Sequence, residues 1–167
     1  GIAGIRTVRV LQLGGKITDA GLVALASLNS LEVLRLVGGS DFGVHGTGLK
    51  HVPAGNLREL ILPMAMSDDG LITAGRFTKL RRLVVIASPI TDRGIEGLRD
   101  LHELEWLQAS STRVTGTGLE NLTALNKLEL SSTKMSSQNM KSLGALKKLQ
   151  YLDVSWTPID GDCLKHL

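Results

Sequence analysis

Apolar residues recur along the chain in one short phrase: an apolar residue, two free positions, a Leu, one free position and another apolar residue. The copies are "VRVLQL" from Val8, "LEVLRL" from Leu31, "LRELIL" from Leu57, "LRRLVV" from Leu80, "LEWLQA" from Leu104, "LNKLEL" from Leu125 and "LQYLDV" from Leu149. Alternation over the last three positions has period two, which predicts a short strand with one buried face in every copy. A second phrase alternates with the first: "ITDAGL" from Ile17, "VHGTGL" from Val44, "MSDDGL" from Met66, "ITDRGI" from Ile90, "VTGTGL" from Val114, "MSSQNM" from Met135 and "IDGDCL" from Ile159. Its starts lie 27, 22, 24, 24, 21 and 24 residues apart. The stretches that follow, such as "GLVALASL" and "GIEGLRDL", space their apolar residues three apart, along one side of a helical segment. The unit is therefore strand, turn, helical segment, turn. No unit can bury its leucines alone, so stacking must supply the partner.

Within the second phrase, Ile90 and its equivalents are expected to plug the core as the chain leaves the strand. The next residue is Thr, Ser or Asp in six of seven copies, His45 being the exception, and is expected to cap the helix. Gly stands three residues after the cap in five copies, with Asn139 and Cys163 in the other two. Gly inside a helix costs about 1 kcal/mol relative to Ala, so its repetition predicts close backbone approach between adjacent coils. Thr112, Thr133 and Thr157 fall in matching turns, where their hydroxyls are expected to satisfy turn amides.

A period of about 20 to 29 residues with this leucine spacing is that of leucine-rich repeats. The chain resembles that superfamily over essentially its whole length. It is nearest to the ribonuclease-inhibitor-like and cysteine-containing branch and to short bacterial repeats of the form LxxLxLxxTxITDxGLxxLxxL. Thr stands where such repeats commonly carry Asn or Cys. The resemblance implies an α/β fold: a right-handed leucine-rich-repeat solenoid, or horseshoe, of about seven repeats, with a parallel β-sheet on the concave face and short helices on the convex face. It also implies protein binding rather than catalysis.

Irregularities add to this. The second repeat is lengthened through "VGGSDFGVHGTGL" and the fifth is three residues short. Ile2, Ile5 and Val8 are spaced like the tail of a preceding helix, and the chain stops mid-repeat at "CLKHL". Residues 1–167 are expected to be a single domain without dedicated caps, a piece of a longer protein or one whose ends meet a partner.

Composition fits one globular domain, with 43% hydrophobic and 21% charged residues. Aromatics number only five, so leucine must fill the core. The net charge is +3, but the basic residues are dispersed, which argues against nucleic acid as a partner. Cys163 is the sole cysteine, so no disulfide framework exists within the chain. The apolar runs are too short to span a bilayer and no signal peptide is visible, so an intracellular, cytoplasmic protein without membrane contact is expected.

Candidate chemistry is sparse. The Gly-rich "GGSDFGVHGTGL" lacks the Lys of a phosphate-binding loop and reads as a lengthened surface turn. Cys163 is three residues from His166, yet it aligns with the Gly positions that pack inward. His45, His51, His102 and His166 occupy unrelated repeat positions, so no metal site is expected. Asp68 and Asp69 read as first-turn residues that favour the helix dipole, not as an acid/base pair. No enzyme activity and no cofactor are expected.

What remains is the free face of the strands. Its first four copies carry five Arg against two Glu, and the last three carry one Lys against two Glu and one Asp. Trp106, Tyr151 and Trp156 fall on it in the later repeats. Exposed aromatics are typical interaction anchors, although these could merely cover neighbouring strands. The predicted partner-binding residues are Trp106, Tyr151 and Trp156, flanked by Glu129 and Asp153, with Arg35 and Arg82 reading the opposite end. At about 4.8 Å per strand the surface is roughly 30 Å long, suited to a protein or an extended peptide. The alternative is a structural segment of a longer solenoid, whose ends pack on other repeats or self-associate end to end.

Overall fold

The computed structural model describes residues 5–38 and 43–166. Ile2, residues 39–42 of the Gly-rich turn and the side chain of His166 lie outside the described residues. Seven strands, β1 (Val10–Gly14), β2 (Val33–Val37), β3 (Glu59–Ile61), β4 (Arg82–Val84), β5 (Trp106–Gln108), β6 (Lys127–Glu129) and β7 (Tyr151–Asp153), form one parallel sheet in chain order. Leu11, Leu34, Leu60, Leu83, Leu107, Leu128 and Leu152 are successive register partners, one leucine per strand. The inner five are fully buried, while Leu11 and Leu152, each flanked by a strand on one side, are partly exposed.

Each strand returns to the next through a helical segment on the convex side. Only two of these are α-helices, α1 (Asp68–Ala74) and α2 (Asp92–Glu96). Ala20–Leu25, Thr47–His51, Leu119–Asn121, Ser137–Ala145 and Gly161–His166 are 3₁₀ helices. Apolar spacing does not decide between the two kinds, since Leu22, Leu25, Leu28 and Leu31 and, around α1, Leu71, Ala74, Phe77 and Leu80 are alike buried three apart. The two α-helices are the ones whose cap residues, Ser67 and Thr91, accept from a first-turn amide. The short fifth repeat keeps only three helical residues, Leu119–Asn121. Phe77 is the largest fully buried side chain, next to the small Ala74 in the same layer.

Turn chemistry matches the expectation in part. Val44, Met66, Ile90, Val114 and Met135 are fully buried plugs. The Ser67 and Thr91 hydroxyls accept from the Gly70 and Arg93 amides, and Thr18 accepts from Gly21. Thr115 and Ser136 cap nothing in their own helices. The Thr112 and Thr133 hydroxyls donate to the carbonyls of Ala109 and Leu130, so these turns use the hydroxyl for a carbonyl rather than an amide, although Thr133 also accepts from Met135.

The Asp of the "ITD" phrase does something that helix-dipole reasoning did not predict: it reaches into the next coil. Asp19 accepts from the amides of His45, Gly46 and Gly48 at 2.9, 3.1 and 2.7 Å. Asp68 accepts from the Thr91 amide and hydroxyl, and Asp92 from the same two groups of Thr115. Burial pushes the Asp19 carboxyl up, but those three amides and the Thr47 hydroxyl outweigh it and hold the group below the usual carboxylate range. Glycines permit the approach of the coils. A Cβ on Gly48 would lie 2.3 Å from the Asp19 carbonyl oxygen, and one on Gly70 would lie 2.4 Å from that of His45.

Candidate functional site

In the strand phrase, Arg82, Trp106, Lys127 and Tyr151 occupy the same place, the second free position. The parallel register sets them side by side across β4 to β7, beginning from Glu59 on β3. Strand side chains at this place point away from the leucine column, onto the concave face. The Arg82 guanidinium carbon lies 4.1 Å from the Trp106 ring centroid on one side, and Lys127 Nζ lies 4.0 Å from it on the other. Lys127 Nζ is also 4.8 Å from the Tyr151 ring. Cations over aromatic faces at these distances are worth about 0.5–2 kcal/mol each.

Carboxylates tie the row to the next position along the strands. Glu59 accepts from Arg35 Nε at 2.7 Å and pairs with Arg82 at 3.2 Å. Burial raises the Glu59 carboxyl, but the Arg35 hydrogen bond and both positive charges outweigh it, so the group stays below its ordinary value. Glu129 pairs with Lys127 at 2.6 Å. The Ser155 hydroxyl and amide donate to Asp153, which lowers its carboxyl below the usual range.

Trp106, Lys127, Tyr151 and Glu129 thus form one group, and Arg82 belongs to it. Arg82 stands against Trp106 rather than at the opposite end, and Arg35 joins it through Glu59. Arg82 and Lys127, from the strands on either side, both stand over the Trp106 ring, which is half-buried with its Nε1 buried and without a hydrogen-bond partner among the described residues. Sequence reasoning passed over Lys127 and Glu59 as site residues. Stacking the seven strand phrases column by column would have exposed both, because register partners share a column.

Trp156 is different. It lies in the turn after β7, 88% exposed, with φ of +58°. Ala87, Ser111 and Ser132 have the same left-handed backbone at the equivalent turn position, so the coil geometry imposes it. The others are small; Trp156 is bulky and has little packing to offset the strain. Tyr151 is 49% exposed nearby on β7.

The remaining candidates form no second site. Cys163 is buried, its thiol donating to the Asp160 carbonyl at 2.9 Å, as expected of a residue in the inward Gly position. Among the described residues no group of His, Cys, Asp and Glu could hold a metal ion, and no helix is long and apolar enough to cross a membrane.

No family model and no curated protein matches the sequence. Solved structures do resemble the fold. An internalin (inlF) of Listeria monocytogenes superposes with a TM-score of 0.79 and 26% identity, over 99% of this chain and 47% of that one. A leucine-rich-repeat protein of Leptospira interrogans gives 0.72 with 19% identity, over 98% and 47%. An internalin C2 of Listeria monocytogenes gives 0.65 with 22% identity, over 98% and 77%. The chain therefore spans about half the length of the first two. Seven parallel strands in chain order, one buried leucine column and these structural neighbours lead to one conclusion: the chain has the leucine-rich-repeat fold.

Proposed function

We propose that the chain is a protein-interaction module that binds a protein or extended peptide on its concave strand face. The observation that carries this reading is Trp156, an almost fully exposed aromatic held at a left-handed φ that disfavours any residue with a side chain. Folding gains little from it, and contact with a partner would supply the missing return. Tyr151 and Asp153 precede it on β7, Glu129 pairs in register with Asp153 on β6, and half-buried Trp106 continues the strand face towards Arg82 and Arg35. Such an aromatic cluster rimmed by charge is the usual composition of an interface hot spot. The structural likeness to an internalin of Listeria monocytogenes is consistent with a protein partner in general. Affinity capture from lysate, with the Trp156→Ala/Tyr151→Ala double variant as comparison, tests it. Partners recovered by the wild type should be lost from the variant at unchanged thermal stability; equal recovery by the two proteins ends the reading.

A second reading has its own observation. A groove of about 380 Å³ runs along the outer side of β7, lined by Leu143, Leu146, Leu149 and Leu152. As a segment of a longer solenoid, or in end-to-end association, the chain would cover the two of these that are partly exposed, Leu149 and Leu152, with a further coil. Extending the chain by one designed repeat should then raise Tm, and an unchanged Tm would discard this alternative.

A further inference from the structure

The aromatic group occupies one end of the concave face, and the other end has a different chemistry. Val37 and Met64 are 45% and 44% exposed at the ends of β2 and β3. Ile61 and Ile86 are half-buried, and Val84, on the same face, is only 5% exposed, so its neighbours already cover it. Register places Arg35, Ile61 and Val84 side by side on β2, β3 and β4. In the later strands the positions of Ile61 and Val84 hold Gln108, Glu129 and Asp153. In this column the apolar residues are confined to β3 and β4, and in the neighbouring column Val10 of β1, 60% exposed, and half-buried Val33 of β2 continue the apolar surface.

Charge at that end does not cancel. Arg9 is used by Glu32, and Arg81 faces two carboxylates of the β5 coil, Glu103 and Glu105, which leaves that trio one negative charge in excess on the β5 side. Glu59 faces two arginines, Arg35 and Arg82, which leaves that trio one positive charge in excess. Arg58, exposed on the edge of β3, has no ion pair among the described residues. At the β7 end the lysine of the row is taken by Glu129, and Asp153 has hydroxyl and amide partners but no cation among the described residues. The face is bipolar: apolar with excess positive charge over β2–β4, aromatic with excess negative charge at β7.

We infer that the β2–β4 end of this face takes an extended partner segment in which apolar residues stand next to Asp or Glu. The apolar side chains seat on Val37, Ile61, Met64 and Ile86, and the carboxylates face Arg58 and Arg35. Apolar burial supplies affinity, and the cationic rim selects the acidic sequence and speeds its association. The inference rests on the strand face being the interaction surface and adds the chemistry of what binds there. Three strands at about 4.8 Å spacing span about 10 Å, which three residues of extended chain cover.

The test is selection of displayed random peptides against the intact chain, followed by anisotropy titration of a synthetic copy of the best binder. The selected peptides should be enriched in Asp or Glu beside Leu, Ile, Met or Phe. Arg58→Glu and Met64→Asp, both at exposed positions, should each weaken binding by about tenfold or more with unchanged melting curves. Basic or uncharged binders that are lost on Tyr151→Ala would overturn this inference and leave the strand face as the interaction surface. Acidic binders indifferent to Arg58→Glu and Met64→Asp but sensitive to Tyr151→Ala would do the same. Binders indifferent to all three substitutions, or no enrichment over an empty support, would overturn both readings.

Discussion

Trp156 and Asp92 have opposite relations to stability. Trp156 sits where the coil demands a left-handed residue, a conformation that glycine adopts without strain. Trp156→Gly should leave stability unchanged or raise it by up to about 1 kcal/mol in urea unfolding, while removing the exposed indole. Asp92 joins two coils by accepting from Thr115 and Gly116. Asp92→Ala strips partners from part-buried donors and should cost about 1–3 kcal/mol in the same measurement. The carboxylates also set the pH response. Asp19 and Glu59 titrate below their ordinary values in the folded chain, so their contribution is complete above the unfolded values. It is lost as pH falls through the folded ones. Thermal stability should therefore hold down to about pH 5 and drop below about pH 4, and Asp19→Asn should flatten that acid limb. The sequence displayed Asp19, Asp68 and Asp92 as a repeated letter. Their reach into the next coil was hidden, because a hydrogen bond across 23 or more residues exists only once coils are stacked.

At the scale of elements, the strands were legible because alternation and leucine spacing act within six residues, the length of one phrase. The convex segments were legible as helical but not as 3₁₀. Spacing could not make the distinction, because buried residues three apart occur both at Leu22, Leu25 and Leu28 and around α1 at Leu71, Ala74 and Phe77. The concave row Arg82–Trp106–Lys127–Tyr151 was visible as separate exposed positions. Its character as a stack of alternating cations and rings is a property of register, since β-pairing decides which free positions touch. Trp106 consequently serves as structure: its half-buried ring stands between two cations of the neighbouring strands.

For the whole molecule, each coil contacts mainly its neighbours, so loss of packing is felt according to position in the stack. Leu83→Ala, in a fully buried inner layer, should cost about 2–5 kcal/mol. Leu152→Ala, at the partly exposed end layer, should cost distinctly less. Thermal melts of the two variants compare them directly, and equal losses would contradict nearest-neighbour stacking. The bipolar concave face belongs to this scale as well, because it is a sum over seven strands that no single repeat contains.

By itself the sequence determined the number of repeats, the leucine column, the plugs and the inward place of Cys163, because each follows from a periodic pattern whose apolar members must leave water. Only the tertiary structure decided which carboxylate bonds which coil, that Arg82 and Lys127 both stand over the Trp106 ring, and that Trp156 stands out in a strained turn. Those outcomes depend on distances between residues far apart in the chain, and a one-dimensional pattern does not contain them.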